Sequence, residues 1–365
     1  MGYIQRGRET GDVSSYTSAE AAVQASLGSL PGDNYTAYAL KAYLQNVRHD
    51  FAGSLETARY AATVNSGDSF APLVIGDNEL ALGDYDAAFE AFNSLANTSP
   101  SLSTFSRLAH IYEIRSDLRN AEGAWKNAIG LDAGQNLEST AWAHSQYGTF
   151  LFNQGRIDDA GAQYGTALEA LPGYIHALAG QANLAAAKGD YDRAIELYAV
   201  VTNRQPLPQY VAALGDIYAV TGQQAEADKQ YALIGAIEQL YQANGINVDL
   251  QTSLFFADHD TQIDEAVRQA MGALEAQPDS IYTADAVGWA LYKAGRYDEA
   301  LTYSDRALSQ GTQEATLFYH AGMIQKALGN DAAAREALAH ALAINPHFSP
   351  LQAPIAQRAL AELSG

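Results

Sequence analysis

The chain has 365 residues, 48% of them hydrophobic, with 21 Lys and Arg against 42 Asp and Glu, a net charge of −21, and no cysteine. That charge repels phosphate backbones and anionic lipid, so nucleic acid and membrane surfaces are not expected as direct partners and a basic or cationic partner is favoured. Disulfides, thiolate catalysis and Cys-ligated metals are excluded as well, and no apolar run reaches the length of a membrane span or a secretory h-region.

Taken in order, the sequence predicts one helix–turn–helix unit after another. Residues 1–34 have a short first helix (Tyr3 to about Glu9), a turn at Thr10-Gly11-Asp12 and a second helix over Thr17–Leu27. Residues 35–68 carry Ala42, Phe51, Ser54 and Ala61 at the matching positions, and residues 69–101 carry Gly83-Asp84-Tyr85-Asp86-Ala87-Ala88, Phe92 and Pro100. Residues 102–140, with Tyr112, Ala121, Trp125 and Ala128, are about five residues overlong, the excess falling in Leu131–Thr140. Regularity returns in 141–174 (Gly148, Gly155, Ala160, Tyr164) and 175–207 (Gly189, Ala194, Tyr198). In 208–246, with Gly215, Gly222, Ala227 and Tyr231, the second helix runs on through Leu240-Tyr241 to a stop at Asn244-Gly245. Residues 247–280 replace the usual turn glycine with Asp258-His259-Asp260-Thr261.

Residues 281–314 and 315–348 state the pattern most clearly. Gly288, Leu291, Gly295, Tyr297, Ala300 and Ala307 recur as Gly322, Gln325, Gly329, Asp331, Ala334 and Ala341, about 34 residues later. Val287 and Leu291 form the stripe of a first helix, Ala294-Gly295-Arg296 breaks it, and Tyr297-Asp298-Glu299 opens a second helix with acid at its positive end. Ala300 and Ala307 are small where two helices must approach. Residues 349–365 close the chain, with a lone amphipathic helix over Pro354–Leu363 that suits a cap.

On these residues nearly the whole chain resembles the tetratricopeptide repeat family. The resemblance implies an all-α fold, a right-handed α-solenoid of ten repeats over residues 1–348 followed by the capping helix. It also implies a superhelix of about one full turn whose first helices line a concave wall. The two overlong units are expected to bend or widen it.

No zinc helix, nucleophile elbow, Walker loop or dinucleotide fingerprint occurs, so no catalytic role and no cofactor are predicted. The repeat phase turns one set of residues toward the groove. Asp285, Trp289 and Tyr292 fall on one stripe; Phe255 and Asp258 are their counterparts one repeat earlier, and Tyr319 with His320 one repeat later. Farther back come Asp216, Asn183 and His176. A wall of aromatic and acidic side chains suits a protein or peptide segment rich in basic or aromatic residues. At any single position, an aromatic at helical spacing is more often packing.

Two further readings stay open. Asp258, His259 and Asp260 form the densest local set for a metal or cation, although consecutive helical residues point about 100° apart. Self-association through the short first unit is the second. The carboxylate clamp that some tetratricopeptide proteins use on a peptide's terminus is broken here, since only Arg107 and Asn183 occupy groove positions, in non-adjacent units. Sparse Lys and abundant Tyr, Asn, Gln and Thr lean toward an extracytoplasmic bacterial protein, and Met1, partway into a repeat, suggests a trimmed or mature chain.

Overall fold

Short-range chemistry sets the helix ends. Asp50, Asp84 and Asp190 each accept the amide of the residue three positions on, satisfying one orphan donor at the start of the second helix of a pair. Ser101, Asn136 and Ser280 do the same for first helices. The turn inside most pairs holds a residue with positive φ, usually glycine, but His49, Ser116 and Asp260 take that conformation without being glycine.

The computed structural model describes residues 2–132 and 136–364, and among them it has 21 helices and no strand. The first four pairs are α1 (Gly2–Thr10) with α2 (Ser14–Ser29), α3 (Tyr35–Val47) with α4 (Phe51–Val64), α5 (Phe70–Leu82) with α6 (Tyr85–Thr98), and α7 (Leu102–Ile114) with α8 (Leu118–Asp132). Three follow: α9 (Leu137–Asn153) with α10 (Ile157–Ala170), α11 (Ile175–Ala187) with α12 (Tyr191–Arg204), and α13 (Pro208–Val220) with α14 (Gln224–Ala243). The last three are α15 (Asp249–Asp258) with α16 (Ile263–Ala276), α17 (Ile281–Lys293) with α18 (Tyr297–Ala307), and α19 (Ala315–Ala327) with α20 (Asp331–Ile344), before α21 (Gln352–Glu362). The centre of the expected excess in the fourth unit, residues 133–135, lies outside the described residues. α14 has 20 residues where most second helices have 14.

Two devices recur among the pairs. Ala121, Ala160, Ala194, Ala227, Ala266, Ala300 and Ala334 have no exposed surface, because the first turn of each second helix lies directly against its neighbours there. An aromatic ring from the second helix then presses on a residue that has no Cβ: a Cβ on Gly148 would stand 2.6 Å from the Tyr164 ring, and one on Gly215 2.5 Å from Tyr231. First helices of successive pairs touch one another, α15 with α17 and α17 with α19 among them, which puts them on the inner side of the curve.

The coil is wound more tightly than the single turn expected. Ile281 N–H donates to the Tyr85 hydroxyl at 2.9 Å, Thr312 Oγ1 donates to the Ile114 carbonyl at 2.6 Å, and Asn345 Nδ2 donates to the Phe152 carbonyl at 2.9 Å, across separations of 196, 198 and 193 residues. Gly83 sits so close to the Asp279 backbone that a Cβ would be 2.2 Å from its carbonyl carbon. Gly11 against Gln205 and Arg48 against Gly245 continue the same register toward the N-terminus. The turn inside one pair therefore docks on the connection between pairs a little under six repeats later. Ten pairs wind well past one turn, and the edges of successive turns form a seam. Ile281 and Leu317 bury against Tyr85, Leu108, Ile111 and Ile114 along it.

Candidate binding cavities on the inner side

Trp289 on α17 is the centre of the inner wall, and it is 1% exposed. Its ring stacks on His320 (centroids 4.0 Å apart) and on Tyr292 (4.8 Å), and the Lys293 ammonium lies 4.8 Å from its centroid. Its indole N–H donates to Asp258 Oδ1 at 2.8 Å, and Gln352 of the cap donates to the same oxygen at 2.6 Å. Burial raises the Asp258 carboxyl above its ordinary range; His320, the Trp289 hydrogen bond and His259 offset part of that. Behind Trp289, His320 Nδ1 donates to both oxygens of the buried Asp285 at 2.9 and 3.0 Å, which leaves His320 Nε2 buried without a partner. Tyr319 is buried beside them and packs on Trp289 and Phe348.

Two repeats before Trp289, Asp216 accepts from the Tyr231 hydroxyl at 3.0 Å and, from the repeat between, from His259 Nε2 at 2.8 Å. His259 Nδ1 meets the Phe255 carbonyl at 2.7 Å, so both ring nitrogens face acceptors and both carry hydrogen in the imidazolium form. Burial works against that charge, but Asp216, by hydrogen bond and by charge, raises the His259 pKa on balance. Phe255, Asp258 and His259 form a partition between two cavities, one of about 720 Å³ and one of about 560 Å³. The larger is walled by Tyr231, Phe255, Trp289, Tyr319 and the cap residue Ile355, with Asp228, Asp260 and Lys293 also lining it.

Of the residues expected in the groove, Phe255, Asp258, Trp289 and Tyr319 line the larger cavity, and Asp216 lines the smaller. Tyr292, Asp285 and His320 stand behind that wall. Asn183 and His176 lie elsewhere. Asn183 is exposed, accepts from the Tyr198 hydroxyl at 2.6 Å and borders a recess beside Phe348, while His176 pairs with the Tyr210 hydroxyl in another recess. Arg107 is held bidentately by Asp77, at 2.6 and 2.8 Å, and so is not free for a carboxylate clamp. Asp258, His259 and Asp260 do not converge: Asp258 faces Trp289, His259 faces Asp216 and Asp260 pairs with Lys293 at 2.7 Å. Among the described residues no three His, Asp or Glu side chains are grouped to hold an ion. Among them too, no helix is long and apolar enough to cross a membrane.

Tyr231, Lys293 and Gln352 complete the cavities without having been expected there. A signal for Tyr231 existed. Tyr198 and Tyr231 each reach a polar residue 15 positions earlier, Asn183 and Asp216, in the same repeat phase. Gln352 gave none, because its reach to Asp258 depends on how the cap folds back.

Residues 151–217 and 315–348 match family models described as tetratricopeptide repeat. No curated protein matches the chain. Among solved structures, a tetratricopeptide repeat protein from Parabacteroides merdae is 16% identical with a TM-score of 0.42, over 76% of this chain and 100% of that one. The APC/C hetero-tetramer Cut9-Hcn1 is 17% identical with a TM-score of 0.47, over 91% of this chain and 65% of that one. YrrB, described as a TPR protein with an unusual peptide-binding site, is 19% identical with a TM-score of 0.33, over 52% of this chain and 95% of that one. Residues 151–217 and 315–348 are thus tetratricopeptide repeats, and the same helix pair continues before, between and after them.

Proposed function

We propose that this protein is a non-catalytic scaffold whose larger inner cavity holds a basic or aromatic-rich segment of a protein partner. Tetratricopeptide arrays are in general protein-interaction scaffolds, and their inner surface is where extended binding area is available. The observation that carries the finer reading is the cavity of about 720 Å³, where aromatic walls meet the exposed carboxylates Asp228 and Asp260. Lys293 shows the chemistry the cavity accepts: its ammonium lies over the Trp289 face with Asp260 at 2.7 Å, and a partner lysine or arginine would have to displace it there or pair with Asp228. The net charge of −21 adds long-range steering of the same sign.

Trp289 is buried, so its removal would test folding rather than contact. The test is therefore charge reversal at the rim. Fluorescence anisotropy with a library of Lys/Arg-rich and aromatic-rich peptides should find binders whose affinity falls at least about tenfold in Asp228→Lys/Asp260→Lys and weakens with salt. Equal binding of acidic peptides, or of the best basic peptide to the reversed variant, would refute the reading.

A further inference from the structure

The seam between turns closes to backbone contact at Gly83 and Asp279, whereas at the seventh and eighth pairs it is made by side chains, Val13 burying with Ile246 and Val248, and leaves beside them the cavity of about 560 Å³. The cause is local: α14 runs 20 residues, and the chain reaches α15 only after Ile246 and Val248. One side of the cavity comes from the first two pairs, through Val13, Tyr16, Val47 and His49, and the other from α13 to α15. Ile234, Ile237, Val248 and Phe255 make its lining largely apolar. Water against such walls gains little, whereas an apolar body of matching size gains the full hydrophobic contribution.

The charged lining of the cavity differs in sign from an anion site. Asp216, Asp258 and Glu238 line it; Asp216 is already paired with His259 and Asp258 accepts from Trp289 and Gln352, whereas Glu238 on α14, among the described residues, meets only the neutral amides of Gln242 and Gln269 at hydrogen-bond distance. Burial raises the Glu238 carboxyl, the Gln269 hydrogen bond and the Arg268 charge offsetting part of that. We propose that this inter-turn cavity is a second binding site, specific for a small amphiphilic amine whose apolar body lies between the two superhelical turns and whose ammonium meets Glu238. The site is separate from the peptide cavity beyond the Phe255–His259 partition and does not depend on what that cavity binds. Because both turns contribute walls, an occupant also fastens the first two pairs to the seventh and eighth.

The test compares octylamine, 1-octanol and octanoate, which share one apolar body, by isothermal titration and thermal shift on the full chain. Octylamine should bind at one saturable site and raise Tm, and octanoate should bind at least tenfold more weakly. Glu238→Gln should cost the amine about tenfold and leave octanol unchanged. Ala212→Trp, which puts an indole into the cavity, should abolish binding of both amine and alcohol with helicity intact; if that variant does not fold, Glu238→Gln decides alone. Octanoate binding as tightly as octylamine, non-saturable uptake of the amine by an acidic surface, or amine affinity unmoved by Glu238→Gln would each overturn the proposal.

Discussion

At Gly83 two demands meet on one residue. Its φ of +93° places it in the left-handed region, where an L side chain strains the backbone, and the Asp279 backbone fills the space where a Cβ would go. Gly189 has a similar φ, +78°, but nothing within 4 Å of its Cβ position. Gly189→Ala should therefore cost about 1–2 kcal/mol, the conformational penalty alone. Gly83→Ala should cost clearly more, because the two turns must also move apart; equal urea midpoints for the two variants would remove the seam as a source of stability. Tyr85→Phe tests the same seam more gently. It leaves the buried Ile281 N–H without its acceptor, and about 1–3 kcal/mol should be lost in urea denaturation. Residue-scale reading of the sequence reached Gly83 and Tyr85 as repeat positions. What it could not reach is their second partner, since a turn glycine and a helix-opening tyrosine are fully accounted for by their own repeat.

Among the elements, the cap α21 does more than end the array. Ala356 and Ala359 bury against the last two pairs with Ile355, Leu360 and Leu363 around them, while Gln352 crosses to Asp258 and helps wall the larger cavity. Ala356, with no exposed surface, is the point at which to dislodge it. Ala356→Asp buries an unpaired carboxylate, should lower stability by at least about 2 kcal/mol and should raise binding of an apolar dye as the face of α19 and α20 is uncovered. A thermal melt matching the parent would mean that the cap is dispensable. The helix at residues 354–363 was legible from its amphipathic pattern, because burying one stripe of a helix is a local requirement written every three or four residues. The reach of Gln352 was not, since it follows from the direction in which Pro350 and the residues around it turn the chain. The eighth pair shows the same division. Its missing turn glycine is visible in Asp258-His259-Asp260-Thr261, but only the fold shows that Asp260 takes the left-handed conformation, with φ +52°, and that His259 turns to Asp216.

The whole molecule is a coil whose turns touch, and its interior carboxyls make that closure sensitive to pH. Glu113 and Glu314, in different turns and next to the Ile114–Thr312 contact, are both pushed up to about 7. Burial is the largest cause for each, then the Trp125 N–H lowers Glu113 while the Glu314 charge raises it; Asp285 raises Glu314, which the Tyr282 hydroxyl and His320 pull down. Acids raised from an ordinary 4.5 hold their protons in the folded chain when the unfolded chain has lost them. Their contribution to stability is complete below about pH 4.5, declines as pH rises and is gone above about 7, with on the order of a few kcal/mol at stake for the pair. Glu113→Gln/Glu314→Gln should therefore melt at a temperature close to the parent's at pH 5 and well above it at pH 8. A constant difference across that range would show that the two acids are not held above their ordinary range.

The amino-acid sequence by itself determined that this chain is a row of helix pairs, because the 3.6-residue stripe, the small residue at each crossing and the capped turn are demands that neighbouring residues settle among themselves. Tertiary structure alone decided where the row meets itself. A small rotation at each pair, summed over nearly six of them, brings residues 193–198 positions apart into hydrogen-bonding range. Such a sum leaves no periodic trace, and the side chains that use it are ones the repeat already required.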